Sequence, residues 1–172
     1  MGEEKFDSGE VIWGKTVTKS YFPQDNSTYF TKDINIMEWI GQYYNIDDET
    51  VLRSFLGRML FSGEDVFKKV PVLSGGEKAR CMLSKCMLEA SNMLILDEPT
   101  AHLDLESITS LNNGLIKYDS ELLFASHDHQ FVSTIANRII EILPTGVIDR
   151  RLPYDEYLEN KEVIKLREQA NK

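Results

Sequence analysis

Several short stretches of the chain carry residue types that could handle phosphate. Residues 9–16, GEVIWGKT, have two glycines five apart followed by Lys15 and Thr16, the spacing of a nucleotide-binding P-loop. Such a loop works only between a feeding strand and a helix whose N-terminus points at the anion. Upstream lies only the polar MGEEKFDS; downstream, TVTKSYFPQ is rich in β-branched and aromatic residues and stops at Pro23, poor material for a helix. Glu10, Val11, Ile12 and Trp13 put a carboxylate and three bulky side chains where phosphates need close backbone approach. The stretch therefore reads as a β-hairpin, with EVIW and VTKSYF as its arms and Gly14-Lys15 in the turn.

LSGGEKAR, residues 73–80, offers a different kind of phosphate contact. Ser74 can cap the helix that follows, and Glu77 can reach back to complete a capping box. A well-made helix start would explain that much. It leaves Gly75 and Gly76 unexplained, since glycine in a helix costs roughly 1 kcal/mol against alanine. Bare backbone N–H groups at a helix N-terminus form an anion site, which gives the glycines a purpose. MLILDEPTAHLD follows: Met93 to Leu96 are an apolar run of buried-strand type ending in Asp97 and Glu98, and strand ends in open α/β sheets are where ligands sit. Adjacent carboxylates there can be solvated loop charge, but Pro99 fixes the exit and Asp104 follows closely. ELLFAS has the same strand form and ends in Ser126-His127-Asp128. His127 alone would be a surface or satisfied core histidine; at the end of a second buried strand it becomes a candidate phosphate sensor. His102 and His129 read as structural, although His102 lies close to the acidic pair.

The elements that must position these residues follow from periodicity. Ile34, Met37, Ile40, Tyr43 and Tyr44 fall at helical spacing, as do Val51, Leu52, Phe55, Leu56, Met59 and Leu60, which implies two amphipathic helices. RIIEIL and GVIDRR read as two edge strands around Pro144-Thr145-Gly146, and PYDEYLENKEVIKLREQANK as a mixed-charge helix. With 172 residues, 42% hydrophobic and 27% charged, the chain is one ordinary globular domain's worth. No apolar run approaches membrane-spanning length and the N-terminus is too acidic for a signal peptide, so a cytoplasmic location is expected. A net charge of −9 argues against a broad nucleic-acid-binding surface. Cys81 and Cys86 are spaced for neither zinc nor a redox pair and read as buried thiols.

Together, LSGGEKAR, LILDEPTAHLD and ASHD, in this order, resemble the nucleotide-binding domain of ATP-binding cassette (ABC) proteins. The form Glu-Pro-Thr-x-His-Leu-Asp, the YFPQD stretch and Tyr-Asp-Glu-Tyr-Leu are more similar to the ABC-F branch than to a transporter component. ABC-F proteins are soluble, carry two cassettes in one chain and act on the ribosome during translation, some of them giving antibiotic resistance. The resemblance implies ATP and Mg2+ as ligands, and ATP hydrolysis as the activity. It makes Gln24 the Q-loop glutamine that contacts the metal and the attacking water, and Ser74, Gly75, Gly76 and Glu77 the signature that closes on the nucleotide of a complementary cassette. Asp97 becomes the aspartate that holds magnesium through water, Glu98 the base, Asp104 the D-loop aspartate and His127 the switch histidine. Ala101 stands where the family usually has Asn.

The implied fold is α/β: an incomplete P-loop NTPase domain of ABC type, a mostly parallel sheet flanked by helices plus a helical subdomain. Its expected divisions are a hairpin and Q-loop over 1–32, the helical subdomain over 33–73, a signature-to-H-loop core over 74–152 and a C-terminal helix over 153–172. In the family GEVIWG is a hairpin leading to the Q-loop, so the genuine P-loop is expected before Met1 and the chain alone is expected to be inactive. A non-catalytic module that only pairs with another cassette, or the ATPase of a transporter or a chromosome-maintenance machine, are the alternatives.

Overall fold

A computed structural model describes residues 7–44, 49–101 and 103–170; His102 lies outside them. The chain divides into two units, residues 1–126 and 127–172.

In the first unit Lys19–Phe22 (β1), Met93–Asp97 (β2) and Glu121–Ala125 (β3) form a three-stranded parallel sheet in the order β1-β2-β3. Leu94 and Leu96 of the central strand are buried, as are Ser20 and Phe22 of β1, which is the period-2 burial of a sheet packed on one face. The register aligns Phe22 with Leu96 and Leu96 with Phe124, so all three strands end at the same edge of the sheet.

Two expectations from sequence are corrected here. The hairpin does not form: residues 9–14 are not a strand, and Val11 and Ile12 are exposed. The turn survives, with Val17 N–H donating to the Gly14 carbonyl at 3.1 Å, but the arm after it joins β2 in parallel. No helix follows Thr16 either, so GEVIWGKT lacks the helix whose N-terminus a phosphate loop must lead into. The second correction concerns β3, which is not buried; it is the edge of its sheet and Leu123 is 47% exposed.

Among the described residues three α-helices run between β1 and β2, Ile36–Gly41 (α1), Glu49–Arg58 (α2) and Gly75–Leu88 (α3). Asn35 and Glu38 close a capping box on α1, and its Trp39 stacks on Phe30 with ring centroids 4.8 Å apart. The helix is shorter than the spacing of Ile34 to Tyr44 suggests. Leu52 and Leu56 are the buried stripe of α2. Cys81, Met82, Leu83 and Cys86 are fully buried, so α3 is enclosed on more than one side, and Cys86 Sγ donates to the Tyr21 carbonyl of β1 at 3.5 Å. Burial pushes both thiols up, that of Cys86 to about 11.

One charged pair also joins α3 to its surroundings. Lys85, 9% exposed, places Nζ 2.5 Å from Glu89 Oε1 and 4.8 Å from the Tyr43 ring centroid, while Ser20 of β1 donates to Glu89 Oε2. Leu105–Leu115 (α4) then crosses from β2 to β3, burying Leu111 and Leu115.

The second unit holds His129–Ile135 (α5), the antiparallel pair Ile139–Leu143 (β4) and Gly146–Arg150 (β5), and Tyr154–Glu159 (α6) with Lys161–Ala170 (α7). The two expected strands pair with each other as a separate sheet, and Gly146 makes their turn at φ 145°. The expected single tail helix is two, broken at Asn160, whose backbone is extended. Ile148, Tyr157 and Val163 form this unit's core. Glu141 accepts from Arg167 Nε at 2.8 Å and from the Tyr157 hydroxyl at 2.5 Å.

Candidate functional site

The C-terminal edge of the parallel sheet gathers the carboxylates. Asp97 is the last residue of β2, opposite Ala125 of β3. Glu98 turns the chain away with φ 48°, the left-handed region that L-residues enter at roughly 1–2 kcal/mol each. Its N–H donates to the Ala125 carbonyl at 3.0 Å and its carbonyl accepts from Ala101 at 3.2 Å, so the turn is held from both neighbours. Pro99 and Thr100 beside it are buried, and Thr100 Oγ1 lies 3.0 Å from Ser126 Oγ, locking the exit of β2 to the exit of β3. Strained backbone fixed by its surroundings is characteristic of ligand sites. Asp97 and Glu98 are both half-buried.

Gln24 leaves the sheet at this same edge, two residues past the end of β1 and exposed. Asp25 beside it accepts from Ser27 N–H at 2.9 Å, which holds its carboxyl below the ordinary value.

The glycine stretch forms the helix start that the sequence suggests. Ser74 N–H donates to Glu77 Oε2 at 2.8 Å and Glu77 N–H to Ser74 Oγ at 3.3 Å, a complete capping box at the head of α3. Gly75 is exposed and Gly76 half-buried, so the first helical backbone stays approachable. The other Glu77 oxygen takes Lys68 Nζ at 3.0 Å, and Lys68 also reaches Asp65 at 2.8 Å. Burial raises the Glu77 carboxyl pKa, but the Ser74 N–H and Lys68 outweigh that and bring it below the ordinary value. Lys68 is a partner that motif reading missed; its only sequence signal is a cation shortly before an acidic cap.

Asp104 N-caps α4, accepting from Ser107 N–H at 2.8 Å, and Ser107's hydroxyl and amide hold its carboxyl below the usual range. Arg80 of α3 reaches Ser107 Oγ at 3.0 Å, which links the signature stretch to Asp104. His127 opens the second unit, exposed, ahead of the Asp128 cap of α5. His129, read as structural, lies 3.4 Å from Asp155 and edge-on to Tyr154, tying α5 to α6. The first unit thus brings Gln24, Asp97 and Glu98 to one sheet edge and connects Ser74–Glu77 to Asp104, while His127 belongs to the other unit.

Known proteins are similar to this chain in sequence and in fold. The chain is 63% identical over 166 residues to the "Uncharacterized ABC transporter ATP-binding protein YkpA" of Bacillus subtilis, covering 95% of this chain and 31% of that protein. It is 37% identical to "ABC transporter F family member 2" of Arabidopsis thaliana, over 98% of this chain and 25% of that one. To the "Energy-dependent translational throttle protein EttA" of Escherichia coli K12 it is 34% identical, over 91% of this chain and 29% of that protein. The chain therefore spans about a third or less of the curated relatives it matches. In fold it is similar to a solved structure titled as a complex of the archaeal ribosomal stalk protein aP1 and the archaeal ribosome recycling factor aABCE1, with TM-score 0.70 and 20% identity over 93% of this chain and 32% of that one. Among the described residues no helix is long and apolar enough to cross a membrane. The family model described as ABC transporter matches residues 1–101, which include Gln24, the glycine-capped head of α3 and the acidic end of β2. With that match over more than half its length, the chain belongs to the ABC transporter family.

Proposed function

We propose that this chain is the later part of an ATP-hydrolysing cassette of the ABC-F branch, cytoplasmic and working with the ribosome in translation. The observation that carries the reading is the meeting of Gln24, Asp97 and strained Glu98 at one edge of a parallel sheet, the place where open α/β sheets bind ligands. The similarity to an F family member and to a translational throttle protein supports the branch and the ribosomal partner.

Phosphoryl transfer asks a protein mainly to position phosphates and offset developing charge. Among the described residues no three His, Cys, Asp or Glu side chains gather as a metal site. One carboxylate and one amide oxygen, Asp97 and Gln24, are the sparse donor set that suits Mg2+, an ion that keeps several waters and binds substrate phosphates. Bound there, Mg2+ would offset charge on the phosphates. Glu98 orients or deprotonates the attacking water, typically a 10² to 10⁴-fold contribution by about that order. His127 steadies the terminal phosphate, and Ser74, Gly75, Gly76, Glu77 and Asp104 face the nucleotide of a complementary cassette.

Residues 9–16 supply no phosphate cradle, so the 172-residue chain alone binds ATP weakly and turns it over little. The test is ATP titration and turnover with the purified chain, alone and mixed with a complete cassette from a relative. Turnover above that of the relative's cassette alone, appearing only in the mixture and lost with Ser74→Ala in the stretch that faces that cassette's nucleotide, is the expected result. Brisk turnover by the lone chain, abolished by Glu98→Gln, would overturn the view that the cradle lies elsewhere; a mixture that pairs but never hydrolyses would make the chain a non-catalytic module.

A further inference from the structure

Arg80 has a set of contacts that neither helix capping nor packing accounts for. It stands on α3 six residues after the Ser74 cap, half-buried. Nη1 donates to the Ser107 hydroxyl at 3.0 Å, and the guanidinium carbon lies 5.0 Å from the Phe61 ring centroid. Ser107 is 2% exposed and its own N–H is spent on Asp104. A single side chain of the signature helix therefore touches two segments far from it in sequence: the end of the helical segment at Phe61 and the first turn of α4.

This placement is expensive for a charged group. Nε is buried with no hydrogen-bond partner, a state that is rare because the lost hydration is not replaced. A methionine or leucine would cover Phe61 without leaving a buried donor unmet, so filling space is not sufficient reason for an arginine here. What only a cation with a rigid fork supplies is the directed bond to Ser107 together with a positive charge beside Asp104, one of the groups that lower the Asp104 carboxyl.

We propose that Arg80 is a positioning residue that fastens the head of α3 to the first turn of α4, so that Ser74–Glu77 and Asp104 shift together rather than independently. The bond geometry stands by itself; its functional meaning, that two nucleotide-facing groups are kept in step, rests on the reading given above. A displacement at Ser74 is passed along α3 to Arg80, from its guanidinium to Ser107 Oγ, and from the Ser107 backbone to the Asp104 carboxylate.

The experiment uses the isotope-labelled 172-residue chain and follows the backbone amides of Asp104 and Ser107. Ser74→Ala serves as the disturbance, introduced into the native chain and into Arg80→Met, Arg80→Lys and Ser107→Ala backgrounds. In the native chain Ser74→Ala is expected to move both amide resonances. In Arg80→Met that response disappears, and Ser107 amide exchange quickens about tenfold or more, the scale of losing a charge-assisted hydrogen bond. Arg80→Lys, which keeps a donor and the charge, restores part of the response, an outcome that mere loss of packing does not produce. Should Arg80→Met fail to fold, Ser107→Ala removes the acceptor of Arg80 and the hydroxyl beside Asp104 but keeps the amide bond to the Asp104 carboxylate, and must abolish the Asp104 response by itself. A response that passes undiminished through Arg80→Met or Ser107→Ala overturns the proposal. ATP titrated into the same native sample with a complete cassette separates the two readings: no nucleotide effect with the amide coupling intact refutes the nucleotide role and leaves the tie standing.

Discussion

Replacing Glu98 by alanine and, separately, by glycine isolates the strain in the turn after β2. Both variants delete the carboxylate and every contact it makes, so they differ by one Cβ at a residue whose φ is 48°. In an ordinary helix or strand the glycine variant would be the less stable by roughly 0.5–1 kcal/mol, because glycine has more freedom to lose. Here the left-handed backbone charges an L-residue about 1–2 kcal/mol and glycine almost nothing. The difference leaves Glu98→Gly more stable than Glu98→Ala by about 1 kcal/mol, an inverted order. Ala90, at φ 45° just past the C-cap Glu89, is the internal control, and Ala90→Gly is expected to stabilise by about the same 1 kcal/mol. Urea unfolding followed by the fluorescence of Trp39, 1% exposed in the same unit, resolves this as a midpoint shift of about 0.5 M. If Ala90→Gly behaves as stated while Glu98→Ala equals or exceeds Glu98→Gly, the left-handed turn at Glu98 is refuted.

Two further outcomes follow from charged groups. Lys85→Ala strands Glu89 beside Ser20 and is expected to destabilise by about 2–3 kcal/mol, with Lys85→Met costing less because its stem still fills the space by Tyr43; the same urea series reads both. Glu77 has a folded-state pKa below its ordinary 4.5, so it contributes stability above pH 4.5 that is lost as pH falls through the folded value. Glu77→Gln should therefore flatten the acid limb of the stability curve, and an unchanged limb would show that neither the Ser74 N–H nor Lys68 holds the carboxylate in solution.

How much of this was legible in the sequence depended on whether the signal was local. The capping box at Ser74 and Glu77, the strand ending at Asp97, and the failure of GEVIWGKT as a phosphate loop are decided within a few residues, and each appears where the sequence puts it. Pairing partners are not local. EVIW and VTKSYF alternate well enough to suggest a hairpin, yet KSYF gains more against the apolar β2, in register from Lys19 with Met93, than against a neighbour rich in exposed side chains. The apolar run in ELLFA reads as a central strand because composition reports hydrophobicity and not position in the sheet; Leu123 stays 47% exposed at the edge. The left-handed turn at Glu98, the Thr100–Ser126 lock and the reach of Arg80 to Ser107 depend on segments distant in sequence converging, for which no spacing rule exists.

The two cysteines turn the chain into its own stopwatch. Both are wholly enclosed beneath α3, and enclosure keeps their sulfurs protonated and hence slow to attack. An alkylating reagent added to the native protein can capture them only during the moments when α3 lifts from the sheet, so the pace of labelling counts those excursions. Because α3 begins at the glycine-capped signature, any binding event that steadies its head would register as slower capture about two turns further along.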